Sequence, residues 1–174
     1  MTRMFPAVAI MALVLAPAAA FAQNPMVDAA KGQFNMTKDV LNRTAAKVPE
    51  DVYPFKPTPE VRSFGQLIGH IADSNFSICG AAGGEKPPMS GIEKSMTTKA
   101  DLSKALAASL EFCDKVIAGM DATKAMEVTK FFTGPTPRVM VIAFNTAHNY
   151  EHYGNLVTYM RLKGIVPPSS EPAK

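Results

Sequence analysis

The stretch Asn145–Gly164 reads NTAHNYEHYGNLVTYMRLKG and carries two of the chain's three histidines, His148 and His152, four residues apart. On a helix that spacing puts both imidazoles on one face, a single turn apart, where they can share a ligand. Val141 and Phe144 lead into this face, Asn145, Asn155 and Tyr159 continue it, and Leu156 and Met160 flank its far end. The face therefore turns inward and yet is polar in its middle. Thr136 is the expected cap of this helix and Pro137 its expected first residue, where a missing N–H costs nothing. Gly164 fits the cap after Lys163, and Pro167-Pro168 bars continuation.

Such a helix needs partners, and the rest of the chain supplies three. From Pro25 to Val48, Val27, Ala30, Phe34, Leu41, Ala45 and Val48 fall near one stripe, and Pro49 ends the run. Four prolines in PEDVYPFKPTPEVRS forbid a helix there, while Val52, Tyr53 and Phe55 give that loop apolar groups to pack. Ser63 then caps a second helix, with Gln66 as its capping-box partner. Its stripe is Phe64, Leu67, Ile68, Ile71, Asn75 and Ile78. The Gly- and Pro-rich run GAAGGEKPPMSG breaks it. Thr98, with Asp101 three residues on, opens a third helix that buries Leu102, Ala105, Leu106, Ser109, Cys113, Val116, Ile117 and Met120. DATKAMEVTKFFTGPTP connects it to the last helix, with VTKFF a candidate extended segment, and the tail SSEPAK reads as loose. Four long helices predict an all-α fold, a four-helix bundle.

The 174 residues suffice for one domain; 47% are hydrophobic, which suits a packed core, and only 19% are charged, which argues against a disordered chain. A net charge of +3 without a Lys/Arg cluster gives nothing for a nucleic acid to grip, so no nucleic-acid partner is expected. The first residues read as an address. Arg3 precedes the apolar run PAVAIMALVLAPAAA, and Ala20 and Ala22 form an A-x-A cleavage site before Gln23. This is the three-part pattern of a secretory signal peptide over residues 1–22, leaving 23–174 as the domain. The run is shorter than the ~20 residues that span a bilayer. The expected product is exported, periplasmic or secreted, with no membrane insertion after cleavage.

Export bears on Cys79 and Cys113, since close cysteines oxidise outside the cytoplasm. Both are also apolar enough to be core thiols, and either state is open. Their heights, however, test the topology. Cys79 ends the second helix, and Cys113 lies about 22 Å along the third at 1.5 Å per residue. In an antiparallel hairpin the two would stand far apart. The connector from Gly80 to Thr97 is long enough to cross the whole bundle, so helices two and three are predicted to run parallel with the cysteines at similar height.

The third histidine, His70, borders the stripe of helix two, with Gln66, Asp73 and Ser77 in its column. Three imidazoles with an open fourth position suit a divalent metal: zinc first, nickel or iron as alternatives. The competing reading makes each histidine a separately hydrogen-bonded residue. There is no C-x-x-C-H, H-E-x-x-H or G-x-S-x-G, and no paired E-x-x-H.

VRSFGQLIGHIADSNFSICGAAGG, followed at a distance by NTAHNYEHYGNLVTYMRLKGIVPP, resembles the DinB-like family, and the likeness runs nearly the length of the chain beyond residue 22. It includes the FKPTPEVRS lead-in, the lone histidine of helix two and the H-x-x-x-H-x-G close. The resemblance implies an up-down-down-up bundle, with a long crossover between helices two and three. It also implies a divalent metal held by His70, His148 and His152. Two positions depart from the family pattern: Glu151 stands where many relatives have a further histidine, and Asn155 replaces a frequent glutamine. Relatives include transferases and isomerases that work with low-molecular-weight thiols in the cytoplasm.

Three functions follow as expectations: an exported metal-dependent hydrolase or thiol-using transferase, a non-catalytic metal-binding bundle, and a small-molecule-binding module. Tyr150 and Glu151 are the nearest acid–base candidates, although their spacing turns them off the metal face. A small-molecule substrate is the expected partner, and a homodimer is left open.

Overall fold

The computed structural model describes residues 25–132 and 134–172; the signal-peptide reading of residues 1–22 lies outside them. Four long helices carry the fold: α1 (Pro25–Lys47), α2 (Phe64–Gly83), α4 (Lys99–Ala118) and α6 (Arg138–Leu162). Two short helices, α3 (Ile92–Ser95) and α5 (Ala122–Met126), and a hairpin of β1 (Val128–Phe131) and β2 (Gly134–Pro137) fill the connections.

Capping chemistry sets the start of α2. The Ser63 hydroxyl accepts from the Gln66 N–H, and the Gln66 side chain accepts from the Ser63 N–H, which satisfies two donors that a helix start leaves without partners. The helix runs past Gly80 to Gly83, and Gly84, at φ 77°, supplies the left-handed turn that ends it. At α4 the Thr98 hydroxyl accepts from the Asp101 N–H, while the Asp101 carboxylate returns to that hydroxyl rather than to the backbone.

The cross-helix contacts give the directions. Asn75 meets Ser109 and Cys79 meets Cys113, while a Cβ on Gly65 would touch Leu102 and one on Gly83 would touch Val116. Positions advance together along both chains, so α2 and α4 run parallel. On α6 the order reverses: the Arg138 guanidinium reaches the Ala82 carbonyl, and the Tyr159 hydroxyl reaches that of Arg62. Lys99 on the Ala46 carbonyl and the Lys38–Asp114 ion pair make α1 antiparallel to α4. This is the up-down-down-up bundle with its crossover between α2 and α4. Cys79 and Cys113, both fully buried, are joined as a disulfide with Cα atoms 5.3 Å apart. The core is one continuous cluster fed by all four long helices, with Phe34, Leu41, Phe64, Ile68, Ile71, Leu106, Leu110, Ile142 and Leu156 buried.

The start of α6 differs from the sequence expectation. Thr136 does not cap the helix and Pro137 is not its first residue; both belong to β2, where Thr136 pairs with Thr129 and Pro137 with Val128. Pairing with β1 outcompetes a local cap, and the Arg138 N–H instead donates to the Glu127 carbonyl at the base of the hairpin.

Candidate metal centre

Helices α2 and α6 cross antiparallel, and their shared face brings His70, His148 and His152 together. Each offers one ring nitrogen, and those atoms all lie within 4.8 Å of one another. The ring centroids are 5.3 Å apart for His70–His148, 4.7 Å for His70–His152 and 4.4 Å for His148–His152. His148 Nε2 and His152 Nε2 are 3.0 Å apart. Tetrahedral nitrogens at ~2.0–2.1 Å from a zinc ion stand about 3.4 Å from each other, so a small outward movement fits this pair to a metal.

The protonation states favour the same use. Burial first, and then the charges that neighbouring His152 and His70 would carry, push His148 down to about 4. Burial, followed by His70 and Arg62, brings His152 to about 4 as well. Both rings are therefore neutral near pH 7, with a lone pair available for a cation.

His70 is oriented from outside. Its Nδ1 lies 3.1 Å from Glu93 Oε2, and Glu93 Oε1 accepts from Arg62 Nε at 2.9 Å. Burial works to raise the Glu93 carboxyl, but Arg62 and His70 outweigh it and hold Glu93 below its ordinary range. An ionised Glu93 accepts the Nδ1–H of His70, fixes that tautomer and leaves Nε2 for a metal. Glu93 is placed by α2 itself: the two Asp73 oxygens accept from the N–H groups of Ile92 and Glu93, each at 3.0 Å. The close approach requires Gly69, because a Cβ there would stand 2.7 Å from Glu93 Cα. Glu93, Arg62 and the role of Gly69 had no signal in the sequence, since nothing in helical periodicity places a connector residue over a helix. For Asp73 the sequence shows only that it shares the helical column of His70.

Behind the histidines lies a polar seam. Asn75, Asn145 and Asn149 are fully buried, and Asn75 Oδ1 accepts from both of the others at 3.0 Å. Asn75 also donates to the Ser109 hydroxyl, which ties the seam to α4. Asn155 Nδ2 stands 3.5 Å from His152 Nδ1. With the carboxamide turned about, its oxygen would receive the Nδ1–H that a metal-bound His152 carries.

A cavity of about 490 Å³ opens beside His152, lined by Arg62, Glu93, Glu151, Asn155 and Tyr159 among others. Glu151 thus borders the site without joining the histidines, and Tyr150 is exposed. A larger cavity of about 880 Å³ lies beyond the connector, around Tyr53, Gln66, Met96 and Leu102, and contains none of the histidines. The smaller cavity is the one with chemistry at its wall.

The profile of the DinB superfamily matches residues 33–156, a span that includes all three histidines. A solved DinB-like protein from Bacillus cereus ATCC 10987 is 13% identical, with a TM-score of 0.73 over 81% of this chain and 95% of that one. A DinB-like protein from Bacillus subtilis is 20% identical, with a TM-score of 0.66 over 86% and 100%. A conserved protein from Enterococcus faecalis is 17% identical, with a TM-score of 0.65 over 78% and 95%. At these identities the likeness is one of fold. No curated protein matches the chain.

Proposed function

The chain belongs to the DinB superfamily, and from that premise we propose that it is an exported protein that binds a divalent metal through His70, His148 and His152 and uses it as a hydrolase or a thiol-using transferase. One observation carries the reading: three imidazole donors from two helices converge within 4.8 Å, and the outer nitrogen of His70 is held by a carboxylate. Zinc is the first choice for three neutral imidazoles, with nickel and iron next. Bound there, such an ion lowers the pKa of a water or a thiol and polarises a carbonyl. The protein's own part is geometric and electrostatic. Glu93 and Arg62 orient His70, Asn75 fixes the seam beneath His148, and the cavity lined by Arg62, Asn155 and Tyr159 gives a small molecule a place to lie against the open side.

Two features support export. The chain begins with a signal-peptide pattern, and the buried Cys79–Cys113 disulfide suits an oxidising compartment. Among the described residues, no helix is long and apolar enough to cross a membrane.

Elemental analysis of the purified protein tests the metal. About one equivalent of zinc, nickel or iron is expected, lost in a His148→Ala/His152→Ala variant that keeps its helical circular dichroism. Metal-free protein that takes up none of these ions from a chelator-buffered solution would overturn the reading. Turnover of ester, amide and thiol-acceptor substrates by the loaded protein then separates an enzyme from a bundle that only holds metal.

A further inference from the structure

On α6, Met140, Phe144 and His148 follow each other at intervals of four residues, so they form one stripe that leads to the metal centre. Met140 and Phe144 are exposed, at 50% and 41%. The Phe144 ring lies nearly parallel to that of His148, with centroids 6.4 Å apart and planes 23° from each other. From the β1–β2 hairpin, Phe131 and Phe132 lean onto this stripe. Phe131 meets Phe144 at 5.2 Å, Phe132 meets Phe144 at 5.7 Å, and the two hairpin rings are 4.5 Å from each other. Three phenylalanines thus touch one another: Phe131 is partly buried against the core, and Phe132 and Phe144 are 80% and 41% exposed.

Aromatic rings in water, as Phe132 and Phe144 are, give up much of the stabilisation that burial would bring, so their position calls for a ligand. Their place relative to the histidines says which kind. Beside His152 the cavity is lined by Arg62, Asn155, Tyr159 and the carboxylates of Glu60, Glu93 and Glu151, whereas one turn before His148 on α6 stands the apolar ring of Phe144.

We propose that Phe131, Phe132 and Phe144 form the apolar specificity wall of the metal centre, taking the aromatic or branched aliphatic arm of a small ligand whose polar end meets the metal and the Arg62 cavity. The inference rests on the metal-binding reading above. It commits to a small amphipathic molecule rather than a second copy of the chain because the cluster is continuous with His148, one of the three ring donors, through a stacked ring.

The test uses mature protein loaded with cobalt(II), whose visible bands report on ligands that enter the coordination sphere. Acetohydroxamate and 3-phenylpropionohydroxamate are titrated in parallel; they share a metal-binding group and differ only in the arm. The phenyl compound is expected to bind roughly tenfold tighter or more. Phe132→Ser, at a site exposed enough to leave folding intact, and Phe144→Ser should each shrink that preference to about threefold or less, with acetohydroxamate binding unchanged. Equal affinities in the unsubstituted protein would overturn the wall, as would a preference that survives both substitutions. So would a dimer by light scattering that Phe132→Ser converts to monomer, since the cluster would then be covered by a second copy. Absence of cobalt bands would remove the metal reading and this inference with it. Cobalt bands that respond to both hydroxamates without discrimination would overturn the wall alone.

Discussion

His70, His148 and His152 differ in what holds their outer nitrogens, and the difference orders the effects of substitution. His70 leans on the ionised Glu93, which is itself anchored by Arg62. Glu93→Gln keeps the shape and removes the charge. Partners of this kind typically set metal affinity by a factor of about 10–100, so zinc affinity should fall by that much while the fold stays intact. Competition with a chromophoric chelator measures it; an unchanged affinity would mean that Glu93 is only the partner of Arg62. The buried pair gives a pH signature in the metal-free protein. His148 and His152 have folded values of about 4 against 6.5 in an unfolded chain. Between those values the unfolded chain binds more protons, so stability is complete above about pH 6.5 and declines as pH falls toward about 4. Thermal melts of metal-free protein at pH 7 and 5 should show that drop, and a His148→Gln/His152→Gln variant should show less of it. The three histidines were legible because spacing and scarcity drew attention to them. Glu93 was not, because its place depends on how a connector folds back over α2.

At the scale of elements, periodicity and capping residues revealed the four long helices, since each buries an apolar stripe that repeats in the sequence. The pieces between them depend on tertiary contacts. The short helix α3 exists because Asp73 caps it from α2, and the hairpin exists because VTKF pairs with GPTP across a turn. Thr136 and Pro137, a plausible helix start in isolation, are drawn into that pairing. Gly69 shows how an element can act on the site without touching it. In Gly69→Ala the new methyl would meet Glu93 Cα at 2.7 Å, against backbone rather than a flexible side-chain end. The connector has to move, which should cost about 1–3 kcal/mol of stability. Because Glu93 rides on that connector, zinc affinity should fall along with stability. Gly154, also helical but with nothing near its Cβ position, serves as the control: Gly154→Ala should leave both measures unharmed. If Gly69→Ala kept full affinity, α3 would have no part in holding the metal centre.

For the whole molecule, the disulfide joins fold to compartment. Helix length and connector length set the heights of Cys79 and Cys113 on two parallel helices, but not the rotation of either helix about its axis, so the bond itself is not legible from the residues alone. In the structure both sulfurs turn inward and meet between α2 and α4. A cross-link spanning 34 residues restricts the unfolded chain by about 4 kcal/mol in the loop-entropy account. Against a typical total of about 5–15 kcal/mol, its loss leaves a folded but weakened bundle. Protein directed through the export pathway should therefore begin at Gln23 by mass spectrometry and show no reactive thiol after denaturation without reductant. The same chain made in the cytoplasm from Gln23 onward should titrate two thiols and melt roughly 10 °C lower. Oxidising it in vitro should restore the higher melting temperature, because parallel α2 and α4 hold the cysteines in register before the bond forms. Two thiols in the exported protein would break the link between compartment and fold, and an intact Met1 there would remove the signal-peptide reading on which export depends.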